Sequence, residues 1–299
     1  MHSEMRAPDG RPTDPSADTG SDGGSEISVL AGALGDGPAL RLGARVFPLG
    51  RWMARRHATV GAEVAVTASL LGQLPIDPTV VLVVAPDVPA SAVVEQLLAA
   101  AHGMLTELDT PAGSLAGSLT LGVASPEPVR SGTAGRLAMY NQHLDALPEA
   151  LVESVAAARR CGLVTAQGNC VLLLQHFVPT TASAVVYASP ARDRPVCVDG
   201  RWGLTEMSSP ADTFEVPVDG AISEKLAWKP TAHMRAPGGT HTVSLPANWC
   251  SRYSIGRGTV RQLAAMSRDA AVTAGRPLSL DFALSGRGPV VLRCRPTRD

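Results

Sequence analysis

The chain has 299 residues, 45% of them apolar, with 26 basic against 27 acidic side chains and a formal charge of −1. That length and apolar content suffice for one large domain or two packed subdomains. The charge balance excludes a general binder of nucleic acid or membrane surfaces, because the excess of Lys and Arg that neutralises phosphates is missing. No stretch approaches the roughly 20 apolar residues that span a bilayer, and residues 1–28 lack the apolar core of a secretory signal. A cytoplasmic protein is expected. Five widely spaced cysteines with no CxxC pair predict reduced, mostly buried thiols.

In chain order, residues 1–37 are rich in Gly, Ser, Pro and Asp and predict a disordered acidic tail. A basic stretch follows (Arg41, Arg45, Arg51, Arg55, Arg56, His57), read as a solvated helix face or an anion-attracting edge. Thr79–Ala85 is a β-branched run that predicts a buried strand. Ser91 is expected to cap a helix with Val94, Leu97, Leu98, Ala101, Leu105 and Leu108 on one face. Leu119–Val123 is a short strand. Pro148 opens a helix with acids early and Arg159–Arg160 late, stopped by Gly162. Strands are expected at Cys170–Val178, Ser183–Ala188 and Pro195–Val198. Met207–Ser254 reads as loop-rich. Thr259 and Gln262 suggest a capping box for a helix reaching Ala274, with Gly275 as its stop. Leu278–Leu284 alternates apolar and polar as a strand does, and Ser285–Gly288 turns it into a partner strand, Pro289–Cys294. The fold class is α+β with mixed and antiparallel sheets.

Four segments, in order, resemble the nucleotide-binding domain of the phosphoenolpyruvate synthase and pyruvate phosphate dikinase family. Leu172-Leu173-Leu174-Gln175-His176-Phe177-Val178 resembles that family's Val-Val-Val-Gln-x-Met-Val strand and runs into Ala184-Val185-Val186-Tyr187-Ala188-Ser189-Pro190, similar to Gly-Val-x-Phe-Thr-x-x-Pro. Trp202-Gly203-Leu204-Thr205-Glu206 is similar to Trp-Gly-Leu-Gly-Glu, and Pro210–Phe214 to a Pro-Asp-x-Tyr element. Leu278–Ala283 with Val291–Pro296 resembles Asp-Ile-Glu-Trp-Ala followed by Leu-Gln-x-Arg-Pro. Upstream, Val60-Gly61-Ala62-Glu63 stands where the family has Val-Gly-Gly-Lys. The resemblance implies an ATP-grasp-type domain of two subdomains closing on ATP. It divides the chain into a tail (1–37), an N-terminal subdomain (38–168) and a C-terminal subdomain (169–299). It covers about residues 55–297 and leaves nothing for the family's phosphohistidine and phosphoenolpyruvate-binding domains.

The implied chemistry is phosphoryl transfer, which needs cations around a polyphosphate and carboxylates to hold magnesium. The resemblance places Gln175 and Glu206 on the adenosine side, and Arg130, Arg293 and Arg295 around the phosphates. Asp281 is the magnesium-ligand candidate. Departures are concentrated here. Glu63 replaces the Lys, Arg293 replaces a Gln, and Ser279-Leu280-Asp281 keeps one carboxylate of an Asp-x-Glu pair. The family's Val-Arg-Ser falls on Val123-Ala124-Ser125, with the cation lost, or on Val129-Arg130-Ser131. Asp281 and Arg293 also lie on neighbouring strands, so a salt bridge between them is the alternative to a metal site. One reading keeps the nucleotide but changes the chemistry, with Arg293 and Arg130 standing in for the lost cations, and two further functions stay open. One is an ATP- and magnesium-dependent phosphotransferase acting on a small acceptor or a separate protein that carries the phosphohistidine or acceptor domain. The other is a degenerate, non-catalytic binding or scaffolding subunit. Neither calls for nucleic acid or membrane, and no catalytic residue is assigned.

Overall fold

A computed structural model describes residues 45–107, 119–130, 138–204, 209–236, 239–286 and 288–298. The stretch read as an acidic tail, Arg41, Glu206 and the side chains of Arg45 and Arg130 lie outside the described residues. In chain order the elements are β1 (Arg45–Pro48), a 3-10 helix (Arg51–Arg55), α1 (His57–Ser69), β2 (Thr79–Val84), a 3-10 turn (Ala90–Val93), α2 (Val94–Glu107), β3 (Leu119–Val123), β4 (Val129–Arg130) and β5 (Ala138–Gln142). A 3-10 turn (Leu144–Ala146) leads into α3 (Leu147–Arg160), β6 (Cys170–His176), β7 (Ala182–Ala188), β8 (Val196–Trp202), β9 (Asp212–Val216), β10 (Ser223–Lys225), β11 (Thr231–Ala236) and β12 (Gly239–Ser244). A one-turn α4 (Ala247–Cys250), then α5 (Arg257–Ala274), β13 (Leu278–Ser285) and β14 (Gly288–Arg298) complete the chain.

The strands build two main sheets. One has the order β1-β2-β6-β3-β5 and is antiparallel throughout. The other runs β10-β9-β8-β7-β13-β14-β4, antiparallel except for the short β14–β4 pairing at its edge. The hairpin β11–β12 stands apart as a two-stranded sheet. No helix among the described residues is long and apolar enough to cross a membrane.

Three apolar clusters explain why the elements sit where they do. Leu97 and Ala101 of α2 pack with Leu147, Leu151 and Val155 of α3 on one face of the five-stranded sheet. On α5, Val260, Leu263 and Ala271 cover the β7–β8–β13 face of the other sheet. Helix α1 serves both sheets. Its Val60, Val64 and Ala68 join Val81, Val171 and Leu173, while Val66 and Leu70 join the α5 cluster. Every residue from Val60 to Ala68 is buried, the pattern of a helix packed on all sides.

Several expectations need correction. Ser91 does not cap a helix; it lies inside a 3-10 turn, and α2 begins at Val94. The Thr259/Gln262 capping box is not made, because α5 starts earlier with Gly256 at its N-cap and no side-chain capping bond. Of the basic stretch, Arg51 and Arg55 are in a 3-10 helix and not on an α-helical face, and Arg51 donates to the Leu71 carbonyl at 2.8 Å. Read as loop-rich, the region 207–254 holds four strands among its described residues. Of the five thiols, three (Cys170, Cys250 and Cys294) are buried, as expected, while Cys197 is half-buried and Cys161 exposed.

A fully buried ion pair organises that region. The Lys229 ammonium meets Asp212, which also accepts from the backbone N–H of Ala227 at 3.1 Å and from the N–H and hydroxyl of Ser254, both at 2.8 Å. One carboxylate thus ties β9 to the segments before β11 and after α4. Removing one partner of such a pair strands the other charge, at a cost of about 3–5 kcal/mol. Lys229→Met is therefore expected to lose that much stability in urea unfolding. A loss below about 1 kcal/mol would show that Asp212 does not depend on this cation.

Candidate functional site

The candidate site lies between the two sheets, where α1 enters. Its position is set by a break in α1 at Gly61, whose φ of 79° and ψ of 170° leave the helical region. A Cβ there would stand 2.9 Å from the Pro126 Cα, so only glycine admits the approach. The freed backbone pairs with the segment after β3: Ala62 N–H donates to the Pro126 carbonyl at 2.8 Å, and Glu63 N–H to that of Ser125 at 3.1 Å. Thr67, one turn on, bridges the Glu63 and Cys294 carbonyls at 2.7 and 3.1 Å and ties α1 to β14.

These contacts aim Glu63 inward. Its Oε1 accepts from Arg293 Nε at 2.6 Å and its Oε2 from Arg293 Nη2 at 2.7 Å, a two-pronged pair. Oε2 also accepts from Ser125 N–H at 2.6 Å, and Arg293 Nη2 donates to the Val123 carbonyl at 2.5 Å. Both residues are buried, Glu63 with no exposed surface. Burial by itself would lower the Arg293 pKa, but the Glu63 carboxylate, aided by Asp281, raises it above the ordinary arginine range.

Asp281 faces Arg293 in the β13–β14 register, yet it does not pair with it. Its carboxylate takes a short hydrogen bond from Arg295, which is fully buried. The cross-strand Asp281–Arg293 bridge anticipated from the hairpin is thus replaced by two separate pairs, Glu63–Arg293 and Asp281–Arg295. Arg293 Nη1 and Arg295 Nε and Nη1 have no hydrogen-bond partner among the described residues.

Of the sequence-derived candidates, Gln175, Asp281, Arg293 and Arg295 fall in this region. Gln175 donates to the Thr79 hydroxyl at 3.0 Å. Together with Asp281, Arg293, Thr120 and Tyr140 it lines a cavity of about 20 Å³. That holds a single water, whereas pockets for drug-sized ligands run to about 300–1,000 Å³. At the rim, the left-handed Asn141 donates to the Ala236 and Gly239 carbonyls at 2.5 and 2.6 Å and fixes the β11–β12 hairpin over β5. On its other side the hairpin rests on Gly203, where any Cβ would strike the His233 backbone.

The donor set does not fit magnesium and a triphosphate. Two carboxylates face two guanidiniums, so no net positive charge remains for phosphates. The one carboxylate at the expected metal position is already hydrogen-bonded to an arginine. No group of three or more His, Cys, Asp or Glu residues among the described residues is arranged for a metal. Two features escaped the sequence reading, Glu63 as a bonded partner of Arg293 and the Asp212–Lys229 pair. The first carried a signal: a Lys-to-Glu change and a Gln-to-Arg change of opposite sign at one implied site. The second carried another, since the chain has only two lysines.

No family model and no curated protein matches the chain. Among solved structures it is similar to N5-carboxyaminoimidazole synthase from Aspergillus clavatus in complex with ADP and an aminoimidazole ribonucleotide, at 13% identity and a TM-score of 0.39 over 83% of this chain and 47% of that one. It is also similar to biotin carboxylase from Campylobacter jejuni in an ATP-analogue complex, at 11% identity and a TM-score of 0.41 over 83% and 42%. A third is D-alanine–D-alanine ligase from Coxiella burnetii, at 11% identity and a TM-score of 0.34 over 79% and 47%. The chain spans about half the length of these structures.

Burial also sets thiol reactivity. Burial pushes the Cys170 thiol up to about 11 and raises Cys294 further, with Glu63 adding to the latter. At pH 8 a thiol with a pKa near 11 is thiolate on the order of one part in a thousand. Folded protein is expected to lose Cys161 to a thiol reagent at once and to keep Cys170 and Cys294 until it unfolds. Mass mapping of the labelled sites checks this, and rapid labelling of Cys294 in folded protein would contradict it.

Proposed function

We propose that the chain is an ATP-grasp-type domain, similar to the nucleotide-binding domain of the phosphoenolpyruvate synthase and pyruvate phosphate dikinase family, that no longer transfers phosphate. It acts as a binding or scaffolding subunit beside a separate protein that carries the phosphohistidine or acceptor chemistry. The division into subdomains at 38–168 and 169–299 belongs to this reading. The observation that carries it is the Glu63–Arg293 pair. At the position where the resemblance implies a phosphate-binding lysine, a carboxylate is buried in a two-pronged bond to the residue that replaces the family's glutamine. Paired in this way, Arg293 has its charge cancelled by Glu63 and offers a phosphate no net attraction.

A second reading, an ATP-dependent phosphotransferase, is favoured by one observation: Gln175 and Asp281, its adenosine-side and metal candidates, line the same cavity. Calorimetric titration with ATP, with and without magnesium, separates the two. The scaffold reading expects no heat of binding up to millimolar ATP, a ΔG weaker than about −4 kcal/mol. Micromolar, magnesium-dependent binding that disappears in Asp281→Ala would overturn it in favour of the phosphotransferase.

A further inference from the structure

Aromatic residues make up only 4% of the chain, yet three of its four tryptophans, Trp202, Trp228 and Trp249, lie on segments that hydrogen bonds join. Trp202 and Trp249 stack with ring centroids 4.6 Å apart, and the Trp202 indole donates to the Trp249 carbonyl at 3.3 Å. Trp228 lies on the adjoining segment, joined to this one by Lys229 N–H donating to the Cys250 carbonyl at 3.0 Å. Trp228 is 61% exposed and Trp249 38%, with Leu226 at 41% and Tyr253 at 36% on the same two segments. Exposed apolar side chains scattered singly need no explanation, but Trp and Tyr together on two bonded segments are the composition of a binding hot spot.

The surface is rigid beneath. Lys229 and Ser254, the neighbours of Trp228 and Tyr253 in the chain, are both anchored on Asp212. The Tyr253 ring packs on Phe214 at 5.4 Å. The aromatic groups are therefore held in place before any partner arrives, which reduces the entropy lost on docking.

Charge indicates the partner. Between Glu224 and Asp269 the sequence has no carboxylate, although the whole chain is close to neutral. Glu224 itself is committed to Arg257, which donates to it at 2.5 and 3.1 Å. Lys225, Arg252 and Arg261 are exposed, and none of them enters an ion pair among the described residues. Three such cations are too few for a nucleic-acid site, where about 6–10 phosphate contacts are usual. They suit a carboxylate-bearing peptide whose apolar side chains rest on the rings.

We propose that the surface formed by Trp228, Trp249 and Tyr253, with Lys225 and Arg252, docks an acidic segment of a partner protein that also carries apolar or aromatic side chains. The inference is independent of whether the cleft between the sheets takes a nucleotide.

The test uses the full chain and a fluorescein-labelled random glutamate–tyrosine copolymer, with polylysine and an oligothymidine as controls. Saturable anisotropy change with the acidic copolymer alone is expected, weakening as salt rises. Trp228→Ala combined with Arg252→Glu is expected to raise the half-saturation concentration at least about tenfold at an unchanged melting temperature. Lys225→Glu, at an exposed position outside the packed rings, provides a second variant that leaves the aromatic surface intact and should weaken binding in the same direction. Three results would overturn the proposal: binding that the variants leave unchanged, equal or tighter binding of oligothymidine, or no saturation up to about 1 mM copolymer. Self-association in sedimentation that Trp228→Ala abolishes would also overturn it, by assigning the surface to a second copy of the chain.

Discussion

Glu63 and Arg293 are 230 residues apart in sequence and both buried, Glu63 completely, and the interior between the sheets is built around their contact. A carboxylate and a guanidinium in an apolar interior are tolerable only when paired and hydrogen-bonded. The surroundings supply that. Gly61 breaks α1 so that its backbone can meet the segment after β3, Ser125 offers its N–H to the carboxylate, and Val123 offers its carbonyl to the guanidinium. The pair thereby ties α1, β3 and β14 to one another. Helix α1 can serve both sheets because this polar centre fixes its entry while its apolar residues pack on either side.

The same arrangement bears on chemistry. A phosphoryl-transfer site requires cations that are balanced only when the substrate arrives. Here Arg293 and Arg295 are each balanced from within, by Glu63 and Asp281, and the cavity beside them has the size of a water molecule. Displacing either carboxylate to admit a phosphate would leave a buried anion without its partner. The charges of these four side chains are spent on holding the sheets together.

Much of the framework was legible from pattern. The strand Leu119–Val123 and the Gly275 stop after Ala274 coincide with expectation, because large apolar residues at every second position and a left-handed helix end are local signals. The strands β9 to β12 were not legible. Strand β9 has only Phe214 and Val216 to mark its buried face, and β10 to β12 are short, carry Thr, His, Lys and Glu and lie largely at the surface, so no sustained apolar alternation marks them. Tertiary contacts place them: Asp212 with Lys229 for β9 and the segment before β11, and Asn141 for the β11–β12 hairpin. The site divides in the same way. Gln175, Asp281, Arg293 and Arg295 could be named from short motifs, and they do converge. That Arg293 would choose Glu63, and leave Asp281 to Arg295, depends on the broken entry of α1, for which Gly61 is the only local sign.

The most direct measurement is a double-mutant cycle on this pair by urea unfolding, with Glu63→Gln, Arg293→Met and their combination. Each single variant leaves one buried charge without its partner, so each should cost several kcal/mol, while the double variant should cost less than the sum by about 2–3 kcal/mol. Effects that add to within about 0.5 kcal/mol would contradict the account, because they would show that the two side chains do not depend on each other in the folded protein.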